Sequence, residues 1–186
     1  MESTTQIFLR VQPTPNESEF VRGENLAGGY ADRVQIDSFD FGMKGKLQSP
    51  RKPGEEVANN LDFDPVRVTK FFDRASMSLA ALLQARRQLY EVRITVDQQL
   101  EEETGIGRKA EKAQNAIIVF HLSEARIVDI KLDVTEDKVS ATIKETVSFA
   151  FRNFAVEYYH KGMKNNKKSD FRDTYVDFQT DYKVQD

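Results

Sequence analysis

Apolar and polar positions alternate with a period of two along most of this chain. The helical period appears clearly only once before the tail. The organising stretch is residues 62–96, DFDPVRVTKFFDRASMSLAALLQARRQLYEVRITV. Leu79, Leu82, Leu83 and Arg86 fall at i, i+3, i+4 and i+7, so the leucines share one helix face. Asp73 or Ser76 caps the start, because a short oxygen side chain accepts from the free amides of the first turn. Arg86 and Arg87 are expected in the last turn, where positive charge suits the helix dipole. Val66, Val68, Phe71 and Phe72 read as strand residues before the helix. Tyr90, Val92, Ile94 and Val96 alternate with Glu91, Arg93 and Thr95 after it, the pattern of a half-buried strand.

The rest of the chain adds more strands. Ile7, Leu9 and Val11 alternate until Pro13 and Pro15 end the run. Residues 16–33 are polar, carry Gly23 and Gly28-Gly29, and read as a loop. Val34, Ile36, Phe39 and Phe41 break the two-residue rhythm between Ile36 and Phe39, which predicts a bulge near Asp37-Ser38. Residues 43–61 read as a surface loop, and the charged stretch 99–115 as a solvated loop or hairpin tip. Ile118, Phe120 and Leu122 alternate. After a polar break at Ser123-Glu124, so do Val128, Ile130, Leu132 and Val134. Val147, Phe149 and Phe151 share one phase, and Phe154, Val156 and Tyr158 the other, which predicts a bulge or bend at Arg152-Asn153. From His160 the composition turns basic and linker-like. Phe171, Tyr175, Phe178 and Tyr182 then follow at helical spacing, among threonine and valine that also suit a strand. This segment either folds back on the body of the protein or orders on a partner. The sum is one helix packed on a β structure, with no internal repeat.

Composition narrows the class. The chain has 186 residues, 39% hydrophobic and 31% charged, enough for one domain plus an extension with a real core. A net charge of -3 gives no reason to expect nucleic acid or an anionic membrane as partner. The absence of cysteine rules out disulfides, thiolate metal sites and cysteine nucleophiles. The start, MESTTQIFLRVQPTP, has neither the basic nor the apolar region of a signal peptide, and no apolar run approaches the roughly 20 residues that span a bilayer.

Candidate chemistry is sparse. The two histidines, His121 and His160, have no second histidine near them in sequence, and a structural or surface role outweighs catalysis or metal binding for both. GIGRKA at 105–110 lacks the strand–glycine-loop–helix context of a nucleotide site. The carboxylates are scattered. Arg86-Arg87 could clamp an anion, but a solvated helix end is the better reading. No catalytic residue, cofactor or metal site is expected, and the chain is read as a non-enzyme.

Three stretches in order resemble one family. IDSFDFG, from Ile36 to Gly42, matches an aromatic-alternating strand that ends in glycine. VRVTKFFDRASMSLAALLQA matches a strand running into Lys-aromatic-Asp-x-Ala-Ser and a leucine-rich helix, through Lys70, Asp73, Ala75 and Ser76. ETVSFAFRNFAVEYY matches a Glu-x-Val-Ser-aliphatic-x-Phe strand, through Glu145, Val147, Ser148, Phe149 and Phe151. Over roughly residues 5–159 the chain resembles the Hcp family, the haemolysin-coregulated tube proteins of bacterial type VI secretion systems. It departs at Met77, where the family often has proline, and at Phe39 and Phe41, where tryptophans are usual. These departures, with the charged insert and the tail, mark an outlying branch.

The resemblance implies a mainly β fold, a small β-barrel of two antiparallel sheets with one α-helix packed at the side. It implies an Hcp-like domain over residues 1–159 and a C-terminal extension over 160–186 that is not an independent domain. The implied function is a structural subunit of the secretion tube, a homo-hexameric ring that stacks and is expelled with cargo effectors. Its partners would be further copies, a spike protein and a contractile sheath, with no nucleic acid and no membrane insertion. It would reside in the bacterial cytoplasm before firing and then be secreted without a signal peptide. Gln84 and Arg87 would face the pore, and the 43–61 loop would contact the next ring. The competing readings are a tail-tube protein of a phage-like contractile particle and a monomeric β-barrel binding module.

Overall fold

The computed structural model describes residues 3–26, 30–46, 60–100, 116–136, 141–159 and 172–179. Among them the expected mainly β fold with one helix is found, and every strand pairing is antiparallel. The strands are β1 (Ser3–Gln12), β2 (Val34–Ile36), β3 (Ser38–Asp40), β4 (Met43–Lys46), β5 (Asn60–Phe63), β6 (Val66–Phe71), β7 (Leu89–Leu100), β8 (Ala116–Glu136), β9 (Ala141–Ala150), β10 (Asn153–Tyr159) and β11 (Arg172–Gln179). The helix α1 (Arg74–Gln84) follows β6.

Two sheets share the long strand β8. Its first half lies between β7 and β10, and the first sheet runs β2-β1-β7-β8-β10-β11. Its second half pairs with β9, and the second sheet runs β8-β9-β6-β3. The path does not close into a full barrel: β2 and β3 stand at its two ends. The phase break between Ile36 and Phe39 marks this corner. It is not a bulge within one strand: β2 pairs with β1, β3 pairs with β6, and the chain changes sheets at Asp37, whose amide donates to Thr69 O at 2.8 Å. A second corner lies at Phe151-Arg152, one residue before the bend expected at Arg152-Asn153, where β9 gives way to β10. β8 turns beside it at the polar break, with Glu124 at φ 50.

Between the sheets sits a core that includes Leu9, Val11, Val68, Leu79, Ile94, Leu122, Val147 and Phe149. Phe39 and Phe41 stand where the resembled family has tryptophan, and both join an aromatic cluster. Phe41 stacks on Phe154 at 4.5 Å, and Phe39 meets Phe120 edge-on at 5.1 Å. Smaller rings are accommodated because Phe63, Phe120 and Phe151 also fill this end of the core.

The segment after β1 is not a free loop. It lies over the outer face of β1, where Tyr30 stacks on Phe8 at 4.2 Å and Arg33 sits 4.7 Å from the Tyr30 ring. Burial, then the charge of Asp97, push the Tyr30 hydroxyl up to about 12. Gly23 is required there, because a Cβ at that position would collide with the backbone of Arg33 and Val34.

Several expectations change. Phe72 lies outside β6, and the ends of the 43–61 stretch form the two-stranded hairpin β4-β5. The tail segment forms a strand, β11, and not a helix. The central parts of the 43–61 and 99–115 stretches, and His160, lie outside the described residues.

Candidate functional site

No group of His, Asp or Glu among the described residues could hold a metal ion. The functional features are surfaces, and they depend on how α1 is fixed to the sheets. β6 and β9 are read in phase: Val66, Val68 and Lys70 face inward, opposite Phe149, Val147 and Glu145. Lys70 and Glu145 therefore occupy core positions, at 0% and 1% exposure. The Lys70 ammonium lies 2.7 Å from Glu145 Oε1 and 2.6 Å from Asp73 Oδ1, and it donates to Phe71 O at 2.7 Å. Ser76 Oγ donates to Glu145 Oε1 at 2.8 Å.

The same residues start the helix. Asp73 is the N-cap, accepting from the Ala75 amide at 2.9 Å, while Ser76 Oγ accepts from the Asp73 amide at 3.0 Å. Both capping candidates are thus used, as the two halves of one capping box. Leu79 and Ala75 are fully buried beneath the helix, and Leu82 and Leu83 are half-buried against the core. Two stretches about seventy residues apart in sequence meet in this network, so the lysine, aspartate, serine and glutamate of the quoted motifs do one joint job. The sequence held the signal: a lysine and a glutamate each in the buried phase of an apolar strand.

The far end of α1 corrects the expected basic last turn. The helix stops at Gln84, Ala85 is the C-cap, and Arg86 takes a left-handed conformation at φ 48. The Arg86 amide donates to Leu83 O at 2.9 Å and the Arg87 amide to Leu82 O at 3.1 Å, the paired closure that usually employs glycine. Gln84 and Arg87 are exposed on either side of this turn.

Beyond the helix an apolar surface is left uncovered. Ile130, Leu132 and Val134 share one face of β8, and Ile143 on β9 is the direct partner of Val134. Ile130 packs on the core, but Leu132 is 54% exposed and Val134 64%. The core face of the second sheet thus continues outward past the helix into solvent. The β7 pairing ends at Ala125, so residues 126–136 of β8 carry β9 on one edge and no strand on the other among the described residues.

On the first sheet, His121 Nδ1 lies 2.7 Å from Glu91 Oε1, and Arg93 donates to the same carboxylate at 2.8 Å. Burial would raise Glu91, but the hydrogen bonds from His121 and Arg93, with the arginine charge, outweigh it and hold the carboxyl below its usual range. A cleft of about 600 Å³ lies beside it, lined by Gln12, Glu17, Tyr90, Glu91, Arg93 and Glu124 among others. His121 thus has a structural partner in Glu91.

The family model described as type VI secretion system effector, Hcp, matches residues 8–158. The chain belongs to the Hcp family. It is a tube protein of the type VI secretion system. Three solved structures share the fold. Hcp1 of E. coli EAEC 042, in a mutant form, matches with a TM-score of 0.63 at 10% identity, covering 94% of this chain and 97% of that one. Hcp3 of Pseudomonas aeruginosa, a secreted protein, matches with a TM-score of 0.59 at 20% identity, covering 95% and 99%. A type VI secretion system effector of Yersinia pestis matches with a TM-score of 0.60 at 12% identity, covering 94% and 99%. No curated protein matches by sequence. The Hcp match takes in both halves of the Lys70–Glu145 network, the uncovered strip and β10, and leaves β11 outside.

Proposed function

We propose that this Hcp chain assembles head to tail into hexameric rings, and that the rings stack into the tube. The observation that carries this reading is the half-exposed continuation of the core face, Leu132, Val134 and Ile143, beside the edge of β8 that no strand among the described residues pairs with. An apolar strip next to unpaired strand backbone is an association surface, and left open it invites aggregation. A ring closes when each copy offers the same two unlike patches, so that no strip remains exposed. In this reading the chain is a structural subunit and not an enzyme. Residues 1–159 form the tube domain and 160–186 an extension. Gln84 and Arg87 face the pore and meet cargo effectors. The β4-β5 hairpin reaches the next ring, so removing 43–61 leaves rings and weakens stacking. The tube waits in the bacterial cytoplasm inside a contractile sheath, under a spike, and is expelled with its cargo.

The test is the mass and shape of the purified protein, by light scattering on a sizing column and negative-stain microscopy. Open rings at six times the 21.3 kDa of one chain are expected. Leu132→Asp with Val134→Asp should give folded monomers, because both side chains are already half exposed in the single chain. Rings that persist in this variant would place the interface elsewhere.

A further inference from the structure

A head-to-tail contact built on strand backbone needs two free edges per copy. Among the described residues, 126–136 of β8 supply one. The end strands β2 and β3 are only three residues long and offer little. β10 is longer, and the family match covers it, but in the single chain its outer edge is already taken. β11 pairs with it in register from Asn153–Gln179 to Tyr158–Thr174, and again at Tyr159–Arg172. The family match ends at residue 158, before β11, while the solved Hcp structures match 94–95% of this chain.

The connection is also unusual for neighbouring strands. Residues 160–171 separate the paired Tyr159 and Arg172, whereas antiparallel neighbours are commonly joined by about 2–5 residues. Closing a longer link costs more entropy, which lowers the advantage of the attached strand over a competing one. Such a link could also extend to roughly 40 Å, far beyond the ~4.8 Å between paired strands, so β11 can leave its edge without strain in the chain.

We propose that β11 is a displaceable edge strand: it occupies the β10 edge in the free chain and yields to the bare β8 edge of a second copy as rings form. This rests on the ring reading and adds the control of its interface. The extension then shields a strand edge before assembly and sets the concentration at which assembly begins.

A reversible staple tests it in the full chain. Ala155 and Asp177 are direct cross-strand partners, and such pairs lie within disulfide range. The chain has no cysteine of its own, so Ala155→Cys with Asp177→Cys can form only this bond within one molecule. The oxidised form should need at least about tenfold more protein than the parent for half-assembly, and reduction should restore the parental value. Val176→Pro places proline within β11, opposite Val156, where its fixed φ and ring disfavour the strand, and should shift the midpoint the other way, by roughly threefold or more. Parental assembly of the oxidised form would overturn the proposal and leave the ring reading intact. If the parent and Val176→Pro both stay monomeric at the highest concentration reached, the ring reading fails, and the role of β11 with it.

Discussion

Replacing Lys70 by methionine tests what holds the helix to the sheets. Methionine keeps much of the side-chain length and removes the charge. Glu145, at 1% exposure, then loses its counter-charge in the core, with Ser76 Oγ as its remaining short contact. Removing one partner of a buried pair typically costs about 3–5 kcal/mol, chiefly because the other charge stays buried without compensation. Asp73 also loses its 2.6 Å contact but is partly open to water, so the estimate stays within that range. Against a total stability of about 5–15 kcal/mol this is a large fraction. In a domain of this size it corresponds to a fall in Tm of roughly 6–20 °C. The double variant Lys70→Met, Glu145→Gln should recover at least about 2 kcal/mol, since a neutral amide can still accept from Ser76. Urea melts at pH 7 on the four members of the cycle give both numbers. A single variant within about 1 kcal/mol of the parent, or a coupling near zero, would refute the assignment of the network as the clamp on α1.

Two further expectations follow from local geometry. Arg86→Gly relieves a left-handed non-glycine residue at the helix end, and should raise stability by a few tenths to about 1 kcal/mol in a thermal melt; a loss would show that the arginine side chain matters more than its backbone. Glu91→Gln should destabilise the chain at neutral pH by about 1 kcal/mol. Because the Glu91 carboxyl is held below its ordinary value, its contribution is present above the unfolded pKa of about 4.3 and disappears as pH falls through the lower folded value. The gap between parent and variant should therefore close between about pH 5 and pH 3, and a constant gap would count against the pairing with His121 and Arg93.

The strands were legible wherever one face is buried and the other wet, since that condition writes a two-residue period into the sequence. β1, β7 and β8 follow it closely. The corner at Asp37 was visible as a phase break, but a phase break looks the same for a bulge and for a change of sheet. Only the partners of β2 and β3 distinguish them. The helix start was legible because capping is local. Its end was not: Arg86 adopts the left-handed turn without the glycine that normally announces it. The uncovered strip was hidden for a different reason. Leu132 and Val134 alternate like core residues, and nothing local records that the helix stops short of covering them. A contact made with a second copy would leave no signal distinct from that of burial.

This difference also explains how a chain can share the Hcp fold with solved structures at 10–20% identity. Apolar positions can drift one at a time, because a volume-conserving exchange in a core usually costs less than about 1.5 kcal/mol. Phe39 and Phe41 can stand in for larger rings because four other phenylalanines border the same space. Lys70 and Glu145 have no such single-step path. Either change alone strands a buried charge and costs a large fraction of the stability, so a joint change is far less costly. Among the residues that carry the resemblance, those of the clamp, Lys70, Asp73, Ser76 and Glu145, are thus the least free to change one at a time. By the same logic an assembly strip constrains only polarity and shape. If the strip meets a second copy as proposed, it can change its residues as long as the facing surface changes with it, since one gene encodes both.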